Sequence, residues 1–268
     1  MVRRPALLLS IAPLWCPCLR TNKSLELARV HASLCRRLSQ ILNTCFDMAT
    51  FEHVLRAELI NPQAEPSQHQ YAPHSCGNVV RAIYELKPSV VFAPHVETST
   101  GIMLSDDYIR QVSDTVHKVG GLMVLDCIAS GAIWVDMQAT GVDVLISAPQ
   151  KTWSGPACAG LVMLSERALR EVKGSTVAAS SFVCDLRKWL EVMEAYESGG
   201  FAYHATMPTD ALVMFRDSML ETQAYGVDLA KDRALELGCM AHGLLCNERR
   251  FVRVAAPGFE APGVVVRG

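Results

Sequence analysis

The chain has 268 residues, half of them hydrophobic and 19% charged, with 25 Lys and Arg against 27 Asp and Glu for a formal net charge of -2. That composition is globular, with apolar residues enough for a sizeable core, and it argues against disorder. A near-neutral balance with no Lys/Arg run gives no electrostatic reason to expect nucleic acid or a strongly acidic partner.

The N-terminus has a character of its own. Arg3 and Arg4 precede a mostly apolar stretch from Pro5 to Trp15, and no acidic residue occurs before Glu26. The stretch is too short to span a bilayer as a helix. It has the composition of a secretory signal or an Arg-rich organelle leader, or it is unrelated sequence joined to the fold. The ten cysteines include no C-x-x-C pair and no Cys/His set of zinc spacing. Cys127 lies in the apolar run Leu125-Asp126-Cys127-Ile128, where a buried free thiol is the ordinary reading. Free thiols imply a reducing compartment, so an intracellular one: cytoplasm, mitochondrion or peroxisome. No metal site and no membrane partner are expected.

Legible pattern begins after about residue 75. Asn78 to Leu86 has helical apolar spacing, and Ser89 to Pro94 is a short β-branched run that reads as a buried strand. The loop His95-Val96-Glu97-Thr98-Ser99-Thr100-Gly101 follows. Ser105 to Val119 reads as a helix with a Ser N-cap, two aspartates in its first turn and Gly120-Gly121 at its end. Leu122 to Leu125 is a strand running into Asp126, and Val142 to Ser147 another running into Gln150 and Lys151. Gly160 to Leu164 is a further strand, with a helix from Glu166. Pro208 to Cys246 reads as a long helix or helix pair. Phe251 to Val266 reads as strand pieces broken by Pro257, Gly258, Pro262 and Gly263. Alternating strands and helices predict an α/β fold with a mainly parallel sheet.

In open α/β sheets, ligands bind beyond the carboxyl ends of the strands. Three predicted strands end in polar residues there: His95 to Gly101, Asp126, and Gln150-Lys151. A hydroxyl-rich loop, a carboxylate and a lysine in one cleft would suit a pyridoxal 5'-phosphate site, with the lysine supplying the imine and the carboxylate pairing with the pyridine nitrogen. Each part has a blander reading. Asp126 could cap its own turn, Lys151 could be a solvated surface lysine, His95 a satisfied loop histidine, Trp153 core, and Thr98 to Thr100 turn chemistry. The absence of G-x-G-x-x-G and G-x-x-x-x-G-K-[ST] leaves a dinucleotide or P-loop site without support.

The segments HVETSTG (95–101), LMVLDCIAS (122–130) and DVLISAPQKTWSGPACAGLVMLS (143–165) together resemble the class V aminotransferases, most nearly the alanine–glyoxylate and serine–pyruvate type. The resemblance runs over about residues 75 to 225, more loosely from 36 to 265. It implies a fold-type I, three-layer α/β/α large domain over residues 36–225, the start of a small C-terminal α+β domain over 226–268, and an unmatched segment over 1–35. It also implies pyridoxal 5'-phosphate as cofactor, with Lys151 as the Schiff-base lysine and Asp126 at the pyridine nitrogen. Ile128 would pack on the ring, Thr98 would lie near the phenolic oxygen, and Gln150 near the phosphate. The run Tyr203-His204-Ala205-Thr206-Met207-Pro208 resembles the family's Y-H-x-T-x-P, whose Tyr and Thr reach the neighbouring subunit's phosphate. Tyr203 and Thr206 then imply a homodimer. The implied reaction transfers an amino group from a small amino acid to a 2-oxo acid such as glyoxylate or pyruvate.

Departures from the family pattern keep two other readings open. The family's Gly/Ser-rich phosphate turn has no match here, although such a turn at a helix N-terminus favours an anion. The family's arginine for the substrate carboxylate lies beyond Gly268, and Arg267 does not replace it on spacing. The chain is therefore expected to have lost or exchanged both ends. An impaired relative acting as a dimerising subunit is one alternative. Another class V chemistry, such as cysteine desulfuration, is the second, but that group usually places His before the lysine, and here the position is Gln150.

Overall fold

The structure, a computed structural model, describes residues 70–266 apart from 152, 177, 178, 180, 249 and 250, together with the backbone of residues 7–9. The rest of the segment read above as a leader or unrelated sequence lies outside the described residues, as do Arg267 and four of the ten cysteines. The six cysteines within them are all free: Cys76, Cys127, Cys158, Cys184, Cys239 and Cys246.

The first strand is β1 (Leu7–Leu9) and the first helix α1 (Cys76–Leu86). There follow β2 (Val90–Pro94), a small hairpin of β3 (Val96–Glu97) and β4 (Ile102–Met103), and α2 (Asp106–Lys118). Next are β5 (Leu122–Asp126), α3 (Met137–Thr140), β6 (Val144–Ser147), β7 (Gly160–Leu164) and α4 (Glu166–Gly174). The chain continues with α5 (Leu186–Glu197), α6 (Thr209–Tyr225), α7 (Val227–Gly243) and a π-helical turn at Leu244–Glu248. Local chemistry sets several of these limits. Ser105 Oγ accepts from Tyr108 N at the start of α2, and Gly120, at φ +84°, supplies the left-handed turn after it. Gly226, at φ +105°, separates α6 from α7, where the sequence reading left one long helix or a pair open.

The main sheet has the order β1-β7-β6-β5-β2. Strands β2, β5 and β6 are parallel; β7 runs antiparallel to β6, and β1 antiparallel to β7. An antiparallel neighbour needs no crossover helix, and the chain between Ser147 and Gly160 makes turns instead. Side chains alternate between the two faces of the sheet. Val90, Phe92, Val124, Val144, Ile146 and Val162 pack with Ala168 and Val172 of α4 and with Leu186 and Trp189 of α5. Val91, Ala93, Met123, Leu125 and Leu145 pack with Val79 and Ile83 of α1 and with Ile109, Val112 and Val116 of α2. The result is the expected three-layer α/β/α arrangement with a mainly parallel sheet. At the β7 side, Phe215 of α6 packs with Cys158, Ala159 and Leu161.

One buried carboxylate fastens the amino edge of this sheet. Asp143 is 2% exposed. Its Oδ2 accepts from Met123 N and lies 2.8 Å from His117 Nε2, while its Oδ1 accepts from Ser165 Oγ at 3.1 Å. The C-terminal segment departs from its predicted strands: it makes the isolated bridges Tyr71↔Ala255 and Ile102↔Glu260. Pro257 and Pro262 lack the N–H that a continuous ladder would need. The segment packs closely all the same, since a Cβ on Gly238 of α7 would come within 2.5 Å of Pro262 Cα.

Leu125 is fully buried on the α1/α2 face of β5. Leu125→Ala is expected to lower stability by about 2–5 kcal/mol, through lost transfer energy and the cavity left behind. Urea denaturation checks this: the midpoint falls with the slope unchanged. An unshifted midpoint would mean that this face is not packed as described.

Candidate active site

Because β2, β5 and β6 are parallel, their carboxyl ends open on one edge of the sheet, and each passes there into a polar turn. Strand β5 ends at Asp126, which pairs in register with Pro94 of β2 on one side and Ile146 of β6 on the other. Asp126 Oδ1 accepts from Ile128 N at 2.9 Å. The carboxylate thus does what the blander reading expected, capping its own turn, and the same bond fixes its direction. Ile128 is half-buried and packs on the α4/α5 face of the core.

Strand β6 ends at Ser147, four residues before Lys151. The turn that presents Lys151 is folded back on itself: Lys151 N donates to Ala148 O, Ser154 N to Lys151 O, and Gly155 N to Pro149 O. Ser154 adopts φ +53°, uncommon for a residue with a side chain. Lys151 and Gln150 are exposed, and the Lys151 ammonium has no hydrogen bond or ion pair among the described residues. Beyond it, Trp153 stands with its ring 4.8 Å from that of Trp134 and 6.2 Å from that of Phe215. A Cβ on Gly155 would meet Phe215 Cδ2 at 3.1 Å, so glycine lets the loop lie against α6. Trp153 is therefore partly core, and its packing anchors the lysine loop.

Strand β2 runs into His95 and then into the β3–β4 hairpin, whose exposed turn carries Thr98. Glu97 organises that turn. Its carboxylate accepts from the backbone and hydroxyl of Ser99 and from the backbone and hydroxyl of Thr100, at 2.7–3.0 Å. Burial by itself would raise the Glu97 carboxyl, but the bonds from Ser99 and Thr100 together hold it below the usual range. Ser99 and Thr100 are thus committed to the turn, as the blander reading held; Thr98 has no hydrogen bond among the described residues. Tyr203 and Thr206 lie on the loop between α5 and α6, with Tyr203 Oη 2.9 Å from Thr206 Oγ1. Neighbouring Ala205 and Met207 pack on the same cluster as Ile128. His204 between them is structural: its Nε2–H donates to Phe182 O, and its ring packs on Phe182 and Trp189.

Adjacent parallel strands thus bring Asp126, Ile128, Gln150 and Lys151 to one edge, with Thr98 on the hairpin that follows the third strand. Tyr203 and Thr206 form a separate hydroxyl pair. The sequence reading missed Glu97 as organiser of the hairpin turn, and it missed Ser130. Ser130 is 3% exposed, and its Oγ lies 2.7 Å from Nδ1 of the buried His95. The two are 35 residues apart, and no local spacing signals the pairing. Cys127 is no candidate nucleophile, because burial pushes its thiol up to about 12, opposed by the Ser130 bond and aided by Asp126. Among the described residues there is no group of three or more His, Cys, Asp or Glu able to hold a metal, and no helix long and apolar enough to cross a membrane.

Burial lowers the His95 ring to about 4, with Lys231 acting in the same sense and Asp106 and a backbone hydrogen bond with Leu104 opposing. The folded ring therefore stays neutral where an unfolded one, near 6.5, takes up a proton. Stability should fall as the pH drops from about 6.5 toward about 4, by on the order of 2 kcal/mol between pH 7 and pH 5 from this group. Urea midpoints at the two pH values check it. His95→Asn is expected to shrink the difference, and an undiminished difference would mean that His95 is not the group responsible.

Comparison with known proteins identifies the family and the fold. The sequence profile described as aminotransferase class-V matches residues 75–257. Alanine–glyoxylate aminotransferase 1 of Saccharomyces cerevisiae is 32% identical over 129 residues, which is 46% of this chain and 32% of the yeast protein. The 2-aminoethylphosphonate–pyruvate transaminase of Phocaeicola vulgatus is 27% identical over 133 residues, 49% of this chain and 34% of that protein. Each match thus spans about a third of the relative's own length. Among solved structures, an alanine–glyoxylate aminotransferase from Nostoc sp. superposes with a TM-score of 0.63 at 20% identity, over 70% of this chain and 48% of that one. At that identity the likeness shows the fold.

Proposed function

Because the chain belongs to the class-V aminotransferase family, we propose that its site holds pyridoxal 5'-phosphate and transfers an amino group from a small amino acid, such as alanine or serine, to a 2-oxo acid such as glyoxylate or pyruvate. The observation that carries the reading is the placement of Asp126 and Lys151 at the carboxyl ends of adjacent parallel strands. They are a carboxylate and an amine on one edge of the sheet. A ring with a basic nitrogen at one end and an aldehyde at the other is the ligand that uses both. Ile128 adds the apolar surface for the ring face, and Thr98 and Gln150 add polar groups for its oxygens.

The cofactor supplies an electron sink as a bond to the substrate's Cα breaks, a service that no side chain offers. The side chains do the rest. Lys151 Nζ would hold the cofactor as an imine, and its free amine would be the base that takes the proton from the substrate's Cα and gives it back in the return half of the transfer. Asp126 keeps the pyridine nitrogen protonated, since an opposite charge at short range favours the charged form. The bond from Ile128 N holds the carboxylate for that task. Tyr203 and Thr206, already hydrogen-bonded to each other, suit a phosphate in a neighbouring subunit, which supports a homodimer.

The relatives named for 2-aminoethylphosphonate and pyruvate match this chain about as well as the alanine–glyoxylate enzyme does. That favours one second reading, a phosphonate-bearing amine as donor. A donor panel of alanine, serine and 2-aminoethylphosphonate separates the two.

Borohydride reduction of the chain with bound pyridoxal 5'-phosphate should label Lys151, as read by peptide mass spectrometry. Label spread over other lysines and missing from Lys151 would contradict the site. Asp126→Asn should keep the fold and lower transamination by about 10²–10³-fold, the usual cost of losing one electrostatic stabiliser of developing charge. Undiminished turnover in that variant would remove Asp126 from the mechanism.

A further inference from the structure

One residue holds both ends of the turn that carries Asp126. His95 follows β2 directly and is 1% exposed. Its backbone N–H donates to Asp126 O at 2.9 Å, which extends the β2–β5 ladder by one bond beyond the Pro94↔Asp126 pair. Its ring Nδ1 lies 2.7 Å from Ser130 Oγ, at the far end of the same turn. Between these anchors the turn closes on itself: Ile128 N donates to Asp126 Oδ1, Ser130 N to Cys127 O, and the Ser130 hydroxyl also meets the Cys127 thiol. The main chain of His95 is itself tied to β4's exit, where Leu104 N donates to His95 O.

We infer that His95 is a positioning residue for Asp126: through Ser130 it fixes the turn from which the Asp126 carboxylate and the Ile128 side chain meet the cofactor. The inference rests on the proposed site. A buried side-chain hydrogen bond spanning 35 residues does more than fill space. It couples the end of one strand to the loop beyond the next, and leaving either partner unsatisfied would cost desolvation energy. The ring stays neutral through ordinary pH, so it holds the turn as a hydrogen-bonding group and does not serve as a proton carrier. The direction of Asp126 is then a property of the turn that His95 closes, through its N–H on Asp126 O and its ring on Ser130, and not of Asp126 alone.

The experiment reads the dissociation constant for pyridoxal 5'-phosphate and the pH midpoint of the bound cofactor's visible absorbance in the full chain. His95→Leu is expected to weaken binding roughly two- to tenfold, the range of one net hydrogen bond. It should also move the midpoint in the direction that Asp126→Asn moves it. His95→Asn, whose amide reaches the position of Nδ1, should restore both. In an Asp126→Asn background, His95→Leu should add little to either. A merely structural histidine would show full, additive effects in that background, or no midpoint shift in the wild-type one, and either result overturns the inference. Should His95→Leu fail to fold, Ser130→Ala breaks the same bond from its other end and is judged by the same outcomes. A wild-type chain with no absorbance that depends on Lys151 would bring down the proposed site and this inference with it. A normal wild-type signal left unchanged in His95→Leu would bring down the inference alone.

Discussion

The parallel pairing of β5 with β6 is the constraint on which the rest depends. Its register, Val124↔Val144, Leu125↔Leu145 and Asp126↔Ile146, decides which side chains leave the sheet together. Slipping it by one residue would turn each buried valine and leucine to the wrong face. The two apolar clusters therefore enforce the register that sets Asp126 at the edge. Parallel strands also place their carboxyl ends on the same side, so the turns after β2, β5 and β6 share one edge without any further design. Strand β7 then returns antiparallel, which leaves the chain between β6 and β7 to form a loop, and Lys151 stands in that loop.

The two edges of the sheet treat their carboxylates differently. On the amino edge, Asp143 is almost fully buried and shared among Met123 N, His117 and Ser165, an arrangement that ties α2, β5 and the β7–α4 turn together. On the carboxyl edge, Asp126 is only half-buried, with Oδ1 holding the turn behind it. Buried polar groups are tolerated where their partners satisfy them. The carboxylate left nearer solvent stands on the same edge as the exposed Lys151, and it is the one the proposed site assigns to the cofactor. The His95–Ser130 bond, which closes the turn after Asp126, is buried, whereas Asp126 is half-buried and Lys151 exposed.

Much of the fold was legible because its signals are local. The apolar runs at 89–94, 122–125 and 142–147 hold the buried strands β2, β5 and β6, and Ser105 and Gly120 bounded α2 as capping chemistry requires. Direction was less legible: Gly160–Leu164 reads as a strand, but nothing in an apolar run of five says that it runs antiparallel. The hairpin within 95–103 was missed because strands of two residues leave no periodicity to read. The C-terminal strands were over-read, since apolar residues between prolines form bridges and turns as readily as ladders. At the candidate site, residue types were legible but partnerships were not. Glu97 as hub of its turn and His95 with Ser130 depend on chain segments brought together only by the ladder.

What connects the fold to chemistry is the claim that the Asp126 carboxylate meets a pyridine nitrogen and keeps it protonated. Nitrogen-15 NMR of the chain loaded with pyridoxal 5'-phosphate labelled at the ring nitrogen measures this directly. The account predicts a protonated pyridine nitrogen in the wild-type chain and a deprotonated one in Asp126→Asn at the same pH. The same nitrogen signal in both would contradict it.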